Sequence, residues 1–279
     1  MKRFCRLQQL LGRPALLHLR AARVAVFGLG AVGSYAVEAL ARAGVGRLQL
    51  IDGDRIRASN FNRQLYALES TLRRPKTAVA RERVLDINPR CQVEAHQAFI
   101  TAANVAQFLA GPWDVVIDAI DGVAPKAALI AAALEAGWPV VSCMGAATRT
   151  DPGAVRVADI AKTDICPLAR LIRKKLRQQG IRQGVRCVYS IEPPRNKPSP
   201  PAAEAMVSSR PGRPRRVLGS LSYMTGIFGL LAAHEALQMI VNLNPAGGGV
   251  SRSGASEREK PICLPEVSAL ESAPKLSSN

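Results

Sequence analysis

The chain has 279 residues, 48% of them hydrophobic and 21% charged, with a formal net charge of +17. This suits one large α/β domain, alone or with a tail, and an imbalance of that size predicts attraction to polyanions, a membrane surface or plain solubility. The six cysteines (Cys5, Cys91, Cys143, Cys166, Cys187 and Cys263) contain no CxxC pair; this excludes a small secreted disulfide framework and fits reduced thiols in a cytoplasmic protein.

The N-terminal run MKRFCRLQQLLG is basic, but Arg6, Gln8, Gln9 and Gly12 interrupt any apolar stretch, so it does not read as a signal peptide. Arg23–Phe27 predicts a strand, GLGAVG a glycine turn, and Ser34–Ala43 a helix. Leu48–Ile51 is a second strand ending at Asp52. Lys76–Ile87 has helical character and stops at Asn88-Pro89. Cys91–Ala95 is a weaker strand, Ala102–Leu109 a helix, and Trp113–Ile117 a third clear strand ending at Asp118. A helix over Val123–Ala136 and a strand over Pro139–Ser142 follow. Strands alternating with helices at this spacing predict a Rossmann-like, doubly wound, mostly parallel sheet.

Beyond Asp151-Pro152 the texture changes. Val155–Ile160 predicts a strand turning back along the sheet, Cys166–Gln178 a basic amphipathic helix, and Arg186–Ser190 another strand, an antiparallel C-terminal extension. The stretch 193–216, rich in Pro, Ser and Arg, is expected to be a mobile basic loop. Val217–Ala233 lacks charge for 17 residues but holds Ser220, Ser222, Tyr223 and Thr225 and runs into His234 and Glu235. It is short for a membrane span and reads as part of a buried helix at Tyr223–Asn242. The domain is expected to span 1–243, with 244–279 a disordered tail.

Gly28, Gly30 and Gly33 form a GxGxxG turn after a strand and before a helix. Glycines there permit close backbone approach, and the helix N-terminus stabilises phosphate charge. Asp52, 19 residues beyond Gly33 at the end of the next strand, is placed to accept ribose hydroxyls. This predicts a nucleotide without separating NAD from ATP. Asn60, Arg63 and Lys76 then add polar and cationic groups that a redox dinucleotide does not need. A site that cleaves ATP does need them, to stabilise charge on the α-phosphate and on departing pyrophosphate. Asp121, just past the third clear strand, suits a Mg²⁺ ligand.

The chained motifs GLGAVGSYAVEALARAGVGRLQLIDGD, SNFNRQ, RPK, INP and DAID resemble the ubiquitin-activating-enzyme superfamily, whose bacterial members include adenylyltransferases of molybdopterin and thiamine biosynthesis. The resemblance covers roughly residues 3–145. It implies that Asp52 binds ribose, that Asp54 joins the nucleotide-binding set, and that Asn60, Arg63 and Lys76 contact the ATP phosphates. It further implies that Asp121 sits near Mg²⁺, that Arg6 is an arginine finger reaching a partner subunit's site, and that the protein is a homodimer.

The second half resembles the tRNA threonylcarbamoyladenosine dehydratases through VADIAKT, CPLAR, VYS and GSLSY, extending the likeness to about residue 243. The implied activity is adenylation of the threonyl carboxylate beside the anticodon, followed by intramolecular ring closure that expels AMP. Between Arg170 and Arg216 stand 13 Arg or Lys against Glu192 and Glu204, which places +11 of the +17 there and suits an RNA backbone. Three other readings stay open. One is adenylation of the C-terminal carboxylate of a ubiquitin-like sulfur carrier, with sulfur or redox proteins as partners. The others are an NAD-dependent dehydrogenase and a non-enzymatic RNA-binding protein.

Overall fold

The computed structural model describes residues 2–195 and 218–241. Seven strands form one sheet in the order β3-β2-β1-β4-β5-β7-β6. They are β1 (Arg23–Phe27), β2 (Arg47–Ile51), β3 (Gln92–His96), β4 (Val115–Asp118), β5 (Val140–Cys143), β6 (Val155–Asp159) and β7 (Val185–Ser190). Every pairing is parallel except that of the edge strand β6 with β7. The sheet matches the doubly wound expectation, including the strand that turns back at its edge.

The central strands are covered on both faces, which is why they read as continuous apolar runs instead of alternating ones. Val24 and Val26 of β1 face one side, against α1 (Cys5–Ala21), α2 (Gly33–Arg42), α3 (Lys76–Ile87) and α7 (Ser222–Val241). Ala25 and Phe27 face the other, against α4 (Val105–Leu109), α5 (Val123–Glu135) and α6 (Pro167–Arg177). Fully burying a side chain such as Phe27 or Leu40 contributes about 1.5–3 kcal/mol.

The N-terminal segment departs from the sequence reading, and α7 agrees with it. The N-terminal segment is helical over Cys5–Ala21, broken at Gly12, whose φ of +83° turns the chain before Pro14 restarts the helix. Gly12 and Pro14 hide the periodicity that would have marked it. The apolar helix α7 is long and apolar enough to cross a membrane, yet Met224, Phe228, Ala232 and Ala236 are buried in the core. It lies so close to α2 that a Cβ on Gly229 would stand 2.3 Å from the Val32 carbonyl oxygen. The core-helix expectation holds. Residues 244–279 and most of the 193–216 stretch lie outside the described residues. The flanks of the latter are tied to one residue: Thr148 accepts the Arg195 N–H at 3.1 Å and donates its own N–H to the Gly219 carbonyl at 2.8 Å.

Candidate nucleotide site

The carboxyl edge of β1, β2 and β4 gathers the residues singled out in the sequence. Gly28 follows β1 with φ +91°, and its N–H donates to the Ile51 carbonyl at 2.8 Å. A Cβ there would lie 2.7 Å from the Ala119 carbonyl oxygen, and one on Gly33 only 1.8 Å from that of Gly28. These two glycines let the turn fold tightly between β1 and the end of β4. Gly30 differs: the nearest atom to a Cβ there is Gln64 Nε2, at 3.7 Å. Gly30 thus leaves room beside its backbone just before the α2 N-terminus, where a phosphate would be stabilised.

Asp52 organises the turn from beneath. One carboxylate oxygen accepts the Leu29 N–H at 2.7 Å, and the other accepts the Asp54 N–H at 2.8 Å. Lys76, the first residue of α3, is nearly fully buried; its Nζ lies 3.2 Å from Asp54 Oδ2 and 3.8 Å from Asp52 Oδ2. Lys76 is therefore not a solvated surface cation. It is a fixed charge held among carboxylates of the glycine loop.

Asn60 closes a short 3-10 turn, its side-chain oxygen accepting the Arg57 N–H at 3.2 Å. The turn positions Arg63, which donates to the Ser59 carbonyl at 2.9 Å and to Asn62 Oδ1 at 2.7 Å. Asn62 in turn donates to the Ser220 carbonyl at 3.1 Å, tying this loop to the approach of α7. Burial pulls the Arg63 guanidinium below its ordinary pKa, and the charge of Asp121 opposes that shift. Arg63 and Asp121 are thus electrostatic neighbours, with Asp121 exposed at the mouth.

The loop that carries Asp121 is anchored by a group the sequence reading passed over. Asp118, fully buried, accepts from Lys126 Nζ and from Ser142 Oγ, each at 2.6 Å, and from the Ile120 N–H at 3.1 Å. Lys126 is the lone cation in the apolar run of α5, and that isolation was the available signal. Arg149, beyond β5, was also missed: it is buried, donates to Thr148 Oγ1 at 3.0 Å, and has no partner for Nε among the described residues. Nothing in the sequence marks it.

Arg6 is not brought to this cleft. It is exposed on the first turn of α1. That turn is held at the opposite edge of the sheet by Phe4 against Gly44 and by Arg3 donating to the carbonyls at the end of α3. Cys143 and Cys187 are buried; burial pushes the Cys143 thiol up to about 12 and Cys187 well above its ordinary range, so neither is a ready nucleophile. Among the described residues no three His, Cys, Asp or Glu side chains group as a metal cage. Mg²⁺ does not require one, since it binds through one or two carboxylates plus substrate phosphates. Asp121, an exposed carboxylate next to Arg63, is chemically suited to that pattern.

A glycine turn braced by a carboxylate, with a buried lysine beside that carboxylate and a partly desolvated arginine on the segment between them, is the pattern of a nucleotide-binding α/β protein of the adenylating type. The chain belongs to the ThiF family, whose model matches residues 3–259. It is 44% identical over 194 residues to the tRNA threonylcarbamoyladenosine dehydratase of Bacillus subtilis, covering 70% of this chain and 76% of that protein. The crystal structure of the Escherichia coli tRNA N6-threonylcarbamoyladenosine dehydratase, TcdA, in complex with ATP superposes with a TM-score of 0.75 at 37% identity. That match covers 86% of this chain and 94% of the other. A further similarity, 32% over 84% of this chain, is to adenylyltransferase and sulfurtransferase MOCS3 of Drosophila yakuba, of which it covers 43%.

Proposed function

We propose that this chain uses ATP and Mg²⁺ to convert threonylcarbamoyladenosine beside the tRNA anticodon into its cyclic form. The observation that supports the reading is the nearly buried Lys76 ammonium held beside Asp52, the carboxylate that braces the glycine turn, with Arg63 and Asp121 forming a second charged pair on the segments that follow β2 and β4. The relatives that match over most of their length are named for this dehydration. The alternative, a sulfur-carrier adenylyltransferase, is matched over less than half of the relative named for it.

In this reading the nucleotide phosphates lie over Gly30 and the α2 N-terminus, and Asp52 and Asp54 take the ribose side. The threonyl carboxylate attacks the α-phosphorus, and pyrophosphate leaves. The Lys76 ammonium and the Arg63 guanidinium, already held in place, stabilise the charge that develops on the departing group without reorganising. Asn60 shapes the turn that presents Arg63. Asp121 would hold Mg²⁺, which would supply further neutralisation of phosphate charge. The adjacent carbamoyl group then attacks the activated carbonyl and AMP departs, so the nucleoside loses one water overall. No cysteine is needed. The protein's task is to hold the geometry and exclude water, which would return the acid.

The adenylating domain is taken as 1–243, working in the cytoplasm as a homodimer in which Arg6 of one copy completes the cleft of the other. The placement of Arg6 on the exposed first turn of α1, away from its own cleft, supports that arrangement. The test is mass spectrometry of nucleosides from tRNA incubated with the protein and ATP. Loss of one water from the threonylcarbamoylated adenosine is expected. Pyrophosphate exchange driven by a ubiquitin-like carrier, with the tRNA nucleoside unchanged, would replace this reading with the carrier one.

A further inference from the structure

Four arginines meet at the amino edge of the sheet, at the far end of the strands from the nucleotide cleft. Arg20 closes α1, Arg23 opens β1, Arg47 opens β2, and Arg90 lies between α3 and β3. With Phe4 and Asn88 they line a cavity of about 400 Å³. Among the described residues no carboxylate lines it. Glu94 pairs with Arg47 from one side, and Asp114 is engaged by the backbone N–H of Arg23 at 2.9 Å. Arg20, Arg23 and Arg90 have no ion-pair partner among the described residues. The Arg47 Nε is buried, again with no hydrogen-bond acceptor among them.

A buried guanidinium N–H without an acceptor is costly, and like charges around one concavity repel. Arg20 gains something from the C-terminus of α1, but that does not account for Arg23 and Arg47, which begin strands. An anion in the cavity would offset the repulsion between the guanidinium groups that line it. Guanidinium groups are weakly hydrated and present forked donors that match phosphate oxygens.

We infer that this cavity is a subsite for a backbone phosphate of tRNA, separate from the adenylation cleft. The inference rests on the proposed function. Phe4 lines the cavity, and Arg6 is exposed two residues further along the same turn. If Arg6 enters the partner's cleft, the cavity of one copy lies beside the nucleoside being modified in the other. One tRNA then contacts both copies, its reactive adenosine on one and its backbone on the other.

The test uses full-length protein carrying Arg20→Glu or Arg90→Glu. Arg90 is exposed, so its reversal leaves the core untouched. Arg81→Glu, an exposed position on α3, makes the same change in net charge. Each cavity variant is expected to bind tRNA about tenfold more weakly, with the slope of log affinity against log salt shallower by roughly one. ATP binding without tRNA and the sedimentation of the protein should match wild type. Wild-type tRNA affinity and slope in both cavity variants overturn the inference, as does an equal loss in Arg81→Glu. Dissociation of the dimer with the slope unchanged would show that the cavity seats the other chain, and overturns it as well. Cyclisation by the wild type is scored separately. If the wild type cyclises and the cavity variants bind normally, only the subsite fails. If the wild type binds tRNA through the cavity without cyclising it, only the activity fails.

Discussion

Lys76 Nζ stands 3.2 Å from Asp54 Oδ2, and the backbone N–H of the same Asp54 is held by Asp52, whose other oxygen fixes Leu29 in the glycine turn. The lysine and the phosphate loop are therefore joined through two carboxylates in a nearly buried cluster. Lys76→Ala removes the cation that would face departing pyrophosphate, so cyclisation should fall by at least about 10²-fold, as for loss of a preorganised transition-state group. Removing the buried cation beside Asp52 and Asp54 should also destabilise the fold by about 3–5 kcal/mol. Single-turnover cyclisation and a urea melt measure the two effects, with tRNA affinity expected to hold. Cyclisation within threefold of wild type would leave Lys76 a purely structural residue.

Two glycines of the same turn should fail in different ways. Gly33→Ala drives a methyl into the Gly28 carbonyl, where 1.8 Å is available. Backbone must move, and a loss of about 1–3 kcal/mol is expected, the range for overpacking. Gly30→Ala meets nothing closer than 3.7 Å among the described residues, so its melt should match wild type. The methyl would instead occupy the phosphate approach, and ATP affinity should fall at least about tenfold, or roughly 1.4 kcal/mol. Calorimetric ATP titration beside the melts separates the cases; normal ATP affinity in a folded Gly30→Ala protein would place the phosphates elsewhere.

Lys126 and Asp118 are both fully buried, and the pair also receives Ser142. Lys126→Ala leaves a buried carboxylate with its cation gone, and a loss of about 3–5 kcal/mol is expected. Replacing both members with apolar residues of similar volume, as in Lys126→Met with Asp118→Leu, should recover much of that stability. The same double variant should not recover activity, because Asp118 also accepts the Ile120 N–H and so sets the loop that presents Asp121. Recovery of both would reduce the pair to packing alone.

Much of this arrangement was legible because it follows from chain-local signals. The glycine spacing, the carboxylate after β2 and the apolar strands each occupy a few consecutive residues, and their alternation with helices marks a mostly parallel, doubly wound sheet. Arg63, Lys76 and Asp121 lie on separate segments, and their grouping was suggested by the charge an ATP-cleaving site must neutralise and by their resemblance to a known set. The helix before β1 was hidden by Gly12 and Pro14, which break its pattern although the backbone passes through them. The burial of Lys76 and Lys126 was not legible, since a lysine's exposure depends on which carboxylates the fold brings beside it. The arginines of the amino edge were invisible for the same reason. They come from four segments and become neighbours only when β1 and β2 pair in register from Arg23 and Arg47.

Glu192 provides a test that does not depend on catalysis. It leaves β7 and accepts from the Thr150 N–H at 2.8 Å, the Asp151 N–H at 2.9 Å and Arg195 Nε at 2.7 Å. Led by the Asp151 N–H, these donors hold its carboxyl down to about 2 from an ordinary 4.5. A carboxylate depressed in the folded state stabilises the fold above its unfolded pKa, and that contribution fades as pH falls through the folded one. The window therefore runs from about 4.5 down to about 2. Glu192→Gln should cost about 1.5–3 kcal/mol at pH 7, the scale of a hydrogen bond to a charged group. The gap to wild type should narrow steadily below pH 4.5. Because the same clamp orders the loop containing Thr148, which holds Arg195 and Gly219, proteolysis near residue 195 should accelerate in the variant at pH 7. Urea midpoints of the two proteins at pH 7 and pH 3 decide the matter: an equal difference at both would mean that the charge of Glu192 contributes nothing to the clamp.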